Sequence, residues 1–195
     1  MKTKLRQQTE KRHFLNKKDA EELLKPYLPD MFKAYEEGLA GYNQVIRQFN
    51  PLFIKKIDSG ILNSKISESF YAAFPDNFIN AKYGRVIFRW EGVQIMIKKL
   101  NPNGKPSYVP TLLSESIINQ EQAPLFKGDE LAQSEPLLFF GYTKDKNGEI
   151  VNPRLVYYDS EVKWTIDRST SGLVAETTQT TEVEVRLKQQ EKEAE

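Results

Sequence analysis

Two basic side chains on a predicted β-hairpin are the residues whose types and spacing best indicate chemistry. Residues 85–99 alternate between apolar and polar around Glu91-Gly92, a typical two-residue hairpin turn. That register places Arg85 opposite Lys98 on the same side of the hairpin as Arg89. Like charges in a cross-strand pair are unfavourable unless something negative lies beside them. The hairpin therefore predicts a sheet face that binds an anion or an acidic partner.

The floor of this predicted face is apolar, since Ile87 and Met96 share it with the basic residues. Two other interpretations of these basic residues involve no bound anion. The long basic side chains can extend separately into water, or acids from a neighbouring strand can pair with them.

A second group of cations lies in the first 18 residues, which the composition predicts to be a basic arm. Its candidate anion-binding or partner-binding residues are Lys11, Arg12, Lys17 and Lys18, and Glu10 is its one acid. Such an arm can neutralise phosphates through salt-sensitive contacts. Phe14 is its one aromatic residue, so base stacking has little support. A solvated terminal arm without a ligand is the alternative.

The charge of the whole chain is divided between its halves. Residues 1–110 hold 19 Lys and Arg against 11 Asp and Glu, whereas residues 111–195 hold 9 against 16. The net charge of +1 hides this separation. A basic half attracts anions, and it also allows complementary pairing with the acidic half of a second copy.

Most common catalytic groups are missing from the sequence. Cysteine is absent and His13 is the only histidine, so thiolate nucleophiles and zinc–thiolate sites are excluded. A carboxylate–metal enzyme of the nuclease type would have to use Asp76, Glu91 and Glu115 with Lys98. We therefore predict no catalytic residue, no metal ligand and no cofactor, with this enzyme class kept as a second alternative.

The order of predicted elements gives the fold class. Helical periodicity dominates residues 19–74, and period-two strands with turn signals dominate residues 84–168. This order predicts an α+β fold in which N-terminal helices pack on one face of a mainly antiparallel sheet built from hairpins. Residues 19–168 are expected to form a single domain, followed by a polar acidic tail over residues 169–195.

These features favour a non-enzymatic binding or regulatory protein that acts through a protein–protein interface. By association alone, small proteins of this kind include inhibitors and accessory proteins of mobile elements. The first alternative is a nucleic-acid-binding protein that uses the arm and the Arg85/Lys98 face. Apolar runs such as Leu137–Phe140 are far shorter than the roughly 20 residues that span a bilayer, so no membrane association is expected. The lack of cysteine fits a cytoplasmic protein.

Overall fold

The computed structural model describes residues 10–50, 57–90, 92–122 and 133–169. Within these ranges the chain forms four α-helices and one six-stranded sheet, which confirms the predicted α+β class. The helices are α1 (Lys17–Leu24), α2 (Leu28–Ile46), α3 (Asp58–Ala73) and α4 (Leu112–Ile118). The strands are β1 (Phe78–Ala81), β2 (Arg85–Trp90), β3 (Val93–Lys99), β4 (Leu137–Lys144), β5 (Ile150–Asp159) and β6 (Glu161–Asp167).

The six strands lie in the sheet in the order of the sequence. Neighbouring strands are antiparallel except β3 and β4, which are parallel. A parallel pair needs a crossover connection, and residues 100–136, which include α4, provide it. The sequence did not predict β1, which has only four residues and lies between two short 3₁₀ turns.

The register predicted for the hairpin of residues 85–99 is confirmed for the pairs next to its turn, and a second hairpin, β5–β6, has the register that its own alternation indicates. In the first, Trp90 pairs with Val93 and Phe88 with Ile95. In the second, Tyr157 pairs with Trp164. Turn residues and period-two alternation are local signals, which is why they fix these registers without knowledge of the rest of the fold.

The three N-terminal helices pack on one face of the sheet and form the main core. Phe32 of α2 is buried in the same cluster as Phe88, Ile95 and Ile97 of the sheet. The helices α2 and α3 approach closely at Gly38, where an added Cβ would lie 2.6 Å from the Cα of Ile66. Glycine is therefore required at this crossing, because any side chain would push the helices apart.

The opposite face of the sheet is also covered, contrary to the open face that the sequence indicated around Ile87 and Met96. Both residues are buried in a second core with Ile117 and Ile118 from α4. The parallel β3–β4 connection is the physical reason, because its crossover returns across this face. The end of the hairpin that carries Arg85 and Lys98 stays partly accessible.

The basic N-terminal segment joins the domain from residue 10 onward. The backbone N–H of Arg12 donates to the carbonyl of Gln120 at 2.6 Å. The indole Nε1 of Trp164 in β6 donates to the carbonyl of Leu15 at 2.8 Å. Asn16 then caps α1 by accepting a hydrogen bond from the N–H of Asp19. Residues 1–9 of the arm and 170–195 of the tail lie outside the described residues.

Candidate anion-binding site

The predicted hairpin opens at the end that carries Arg85 and Lys98. The ladder between β2 and β3 covers only three residue pairs, from Trp90–Val93 to Phe88–Ile95. Beyond it, β2 pairs with β1 on its other side and β3 continues along β4. A cross-strand pair of like charges is unfavourable, which fits a ladder that ends before it reaches Arg85 and Lys98.

A cleft of about 160 Å³ occupies the opening between the two strands. We call it the β2–β3 cleft. The residues that line it come from the start of β2, the end of β3 and α3: Gly84, Arg85, Val86, Met96, Ile97, Lys98, Asn63 and Ser67. This volume suits one small group, such as a carboxylate side chain, and is well below the roughly 300 Å³ at which small-molecule pockets begin.

The two cations of the β2–β3 cleft have no acidic partner among the described residues. Arg85 lies over the ring of Tyr83 at 5.4 Å, and its Nη1 reaches the carbonyl of Lys82 at 3.5 Å, the outer limit of a hydrogen bond. Lys98 is half-buried, and burial together with the charge of Arg85 lowers its pKa. An anion bound between them would remove this repulsion.

Arg89, the third cation predicted on this face, has a different role. Its guanidinium binds the carboxylate of Glu135 through two bonds of 2.8 Å, Nε to Oε2 and Nη2 to Oε1. Arg12 reaches the same place, since its Nη1 donates to the carbonyl of Glu135 at 2.7 Å and to Gln94 at 3.3 Å. These four residues, Arg12, Arg89, Gln94 and Glu135, form what we call the Glu135 cluster.

Burial decides what the Glu135 cluster can do. Arg12 is only 4% exposed, and burial lowers its pKa to about 10 although the charge of Glu135 opposes the shift. It therefore remains a cation at neutral pH. Its charge is already balanced inside the protein, so the cluster serves to hold the N-terminal segment against the sheet.

The remaining predicted cations lie elsewhere on the surface. Lys11 forms an ion pair with Asp159 at 2.6 Å, and Lys17 forms one with Glu21 at 3.6 Å. Lys18 is exposed on α1. The structure therefore brings together Arg85 with Lys98 and Arg12 with Arg89, and it leaves the cations of the arm separate from the β2–β3 cleft.

The carboxylates proposed for a metal enzyme do not form a cluster in the described ranges. Asp76 lies in the 3₁₀ turn after α3 and Glu115 lies on α4 in the crossover. Glu91 lies outside the described residues. No group of three potential metal ligands occurs in residues 10–50, 57–90, 92–122 and 133–169.

A second polar cluster joins both helices of the main crossing to the sheet. Asp58, in the first turn of α3, accepts hydrogen bonds from Tyr42 of α2 and Lys144 of β4. Burial alone would raise the pKa of Asp58, but the bonds from Lys144 and Tyr42 outweigh it and hold the pKa below its ordinary value. The charges of this cluster are paired with one another, so it links α2 and α3 to β4 and leaves no charge for a ligand.

Asp58 should make the stability of the protein depend on pH in the acid range. A carboxylate with a lowered folded-state pKa contributes fully above its unfolded pKa, about 4, and the contribution disappears as the pH falls through the folded pKa. We expect Asp58→Asn to lower the free energy of unfolding at pH 7 by about 1–3 kcal/mol. Urea unfolding from pH 7 to pH 2 tests this, and the difference between wild type and variant should shrink only below about pH 4. An equal difference at all pH values would contradict the assignment.

Comparisons with known proteins give no further guide, since no protein-family model, curated protein or solved structure matches the chain. None of the helices found in residues 10–50, 57–90, 92–122 and 133–169 has the length and apolar character needed to cross a membrane. The site must therefore be interpreted from its own geometry.

One residue that the sequence did not single out, Tyr83, lies directly beside Arg85. The sequence feature that could have indicated Tyr83 is a Tyr-Gly pair immediately before a strand.

Proposed function

We propose that this protein is a non-enzymatic binding protein that recognises an acidic segment of another protein at the β2–β3 cleft. The observation that carries the proposal is the pairing of Arg85 and Lys98 with no carboxylate partner among the described residues. The other pair of predicted cations that the structure brings together, Arg12 and Arg89, shares Glu135 as a partner. An acidic side chain entering the cleft supplies the missing charge.

The small volume of the cleft and its two cations favour an acidic protein segment over nucleic acid. Tight nucleic-acid binding needs many phosphate contacts along an extended basic track. Lys11, Lys17 and Arg89 are instead paired with acids of the same chain. Two cations beside a cleft of about 160 Å³ suit one or two carboxylates. As part of the same proposal, the cysteine-free sequence supports a cytoplasmic location.

Reversing both charges of the cleft should remove binding while the fold survives. We expect Arg85→Glu with Lys98→Glu to weaken binding of a fluorescently labelled, glutamate-rich peptide at least tenfold in an anisotropy titration. The reason is that both attractive charges become repulsive. Binding by the wild type should also weaken as salt rises, because surface charges are screened within about 8 Å at physiological ionic strength.

A matched control carries the same change in charge away from the cleft. Lys25→Glu with Lys33→Glu alters two exposed lysines, one in the turn after α1 and one on α2, and should leave peptide affinity nearly unchanged. A labelled DNA oligonucleotide of equal charge is titrated in parallel. Stronger binding to DNA, lost on the same double reversal, would favour the nucleic-acid alternative. Peptide binding that ignores both salt and the reversal would overturn the proposal.

A further inference from the structure

The turn that leads into the β2–β3 cleft contains a tyrosine in an unfavourable backbone conformation. Tyr83 has φ 64° and ψ 30°, in the left-handed region, and Gly84 after it has φ 65°. For a bulky residue such a conformation is a genuine outlier, whereas Asn and Gly adopt it readily. Hairpin turns with two successive positive φ values accordingly prefer Asn-Gly. The turn would therefore form more easily without the tyrosine.

The ring of Tyr83 is hardly buried, so its burial contributes little to the stability of the fold. The residue is 79% exposed, the highest value among the large apolar side chains described. Its contact within the chain is with the guanidinium of Arg85, 5.4 Å from the ring centre. An exposed aromatic residue held in a disfavoured conformation is a reason to look for function at that position.

We propose that Tyr83 is a partner-binding residue at the edge of the β2–β3 cleft, beside Arg85. Its ring packs against an apolar side chain that neighbours the carboxylate bound by Arg85 and Lys98. Tyrosine and arginine are among the residue types that contribute most to protein interfaces. This inference rests on the proposed function, and it narrows the partner to an extended acidic segment in which acidic and apolar residues alternate. Arg85 and Lys98 are positively charged and so favour an acidic residue of the partner. The exposed ring of Tyr83 favours an apolar residue next to that acid.

The test measures stability and affinity on the same variants of the full-length chain. Tyr83→Asn and Tyr83→Gly relieve the backbone conformation, so both should raise the melting temperature, by about 2–4 °C if roughly 1 kcal/mol of strain is released. Both should weaken binding of a labelled peptide of alternating Glu and Val at least tenfold. Binding of a Glu and Gly peptide should change little, because it offers no side chain to the ring.

Tyr71→Asn is the matched control. Tyr71 is also exposed, at 51%, but it lies on the regular backbone of α3, and its ring contacts Phe78 and not a cation of the cleft. It should show neither the rise in melting temperature nor the loss of affinity. A fall in melting temperature for both Tyr83→Asn and Tyr83→Gly would mean that the ring stabilises the fold, and this result would overturn the inference.

The double reversal of Arg85 and Lys98 separates the two proposals. If the reversal abolishes peptide binding but both Tyr83 variants bind normally, the proposed function stands and the role of Tyr83 is wrong. If the reversal leaves binding intact, the proposed function fails, and the inference fails with it. A Tyr83 variant that loses affinity for the DNA oligonucleotide but not for the peptides would show that the ring stacks on bases, which also overturns the inference.

Discussion

Replacing Glu135 by alanine should lower the free energy of unfolding by about 2–3 kcal/mol, less than the roughly 3–5 kcal/mol of a fully buried ion pair, because the Arg89–Glu135 pair is only partly buried. Glu135 accepts both bonds of the Arg89 guanidinium and lies beside the buried Arg12. Without the carboxylate, the protein keeps two cations close together with no anion. Urea unfolding at pH 7 measures the loss.

Two comparisons make this prediction specific. Glu161→Ala removes an acid from the exposed ion pair with Lys163, and the unfolding midpoint should not change measurably. Replacing both members of the internal pair, in Arg89→Met with Glu135→Leu, should recover much of the stability, because no unpaired charge remains. If Glu135→Ala behaved like Glu161→Ala, the Glu135 cluster would have no part in holding the fold together.

Truncating Phe88 to alanine should cost about 3–5 kcal/mol of unfolding free energy, because it leaves a cavity in the main core. Phe88 is fully buried, and its ring centre lies 5.5 Å from that of Phe70 and 6.1 Å from that of Phe78. Phe88 of β2 thus contacts both α3, through Phe70, and β1, through Phe78. Thermal and urea unfolding should agree on the loss.

The controls for Phe88 vary size and exposure. Phe88→Leu keeps most of the apolar volume and should cost less than Phe88→Ala. Leu112→Ala changes a residue that is 75% exposed and should shift stability by no more than about 0.5 kcal/mol. A small effect of Phe88→Ala would mean that this region of the core does not limit stability.

The parts of the fold that the sequence predicted are those with local signals. The pairs Trp90–Val93 and Tyr157–Trp164 follow from a turn and the alternation beside it. The parallel β3–β4 pair has no such signal, because residues about 40 positions apart in the chain must meet. Its contacts depend on how the crossover packs, and periodicity carries no information about that.

The candidate site shows the same division between local and distant signals. The hairpin pattern placed Arg85 near Lys98, and the cleft has both residues. The polar sequence neighbours of Arg12 indicate an exposed cation, whereas its hydrogen-bond partner Glu135 lies 123 residues away. Gln120 is a second residue whose hydrogen-bond partners are distant in the sequence. Its buried side-chain amide donates to the carbonyls of Leu137 and Tyr158, filling a position between two strands that no local pattern indicates.

The hydrogen bond between Trp164 and Leu15 has a consequence for the order in which the protein is made. The two residues are 149 positions apart, so the segment before α1 emerges from the ribosome long before its partner strand exists. At roughly 5–20 residues per second, that interval lasts about 7–30 s. During it, Arg12 and Leu15 lack the β-sheet that later covers them. Folding of this domain can therefore finish only after nearly the whole described chain has been translated, and a nascent chain that stalls before Trp164 should leave its N-terminal segment undocked.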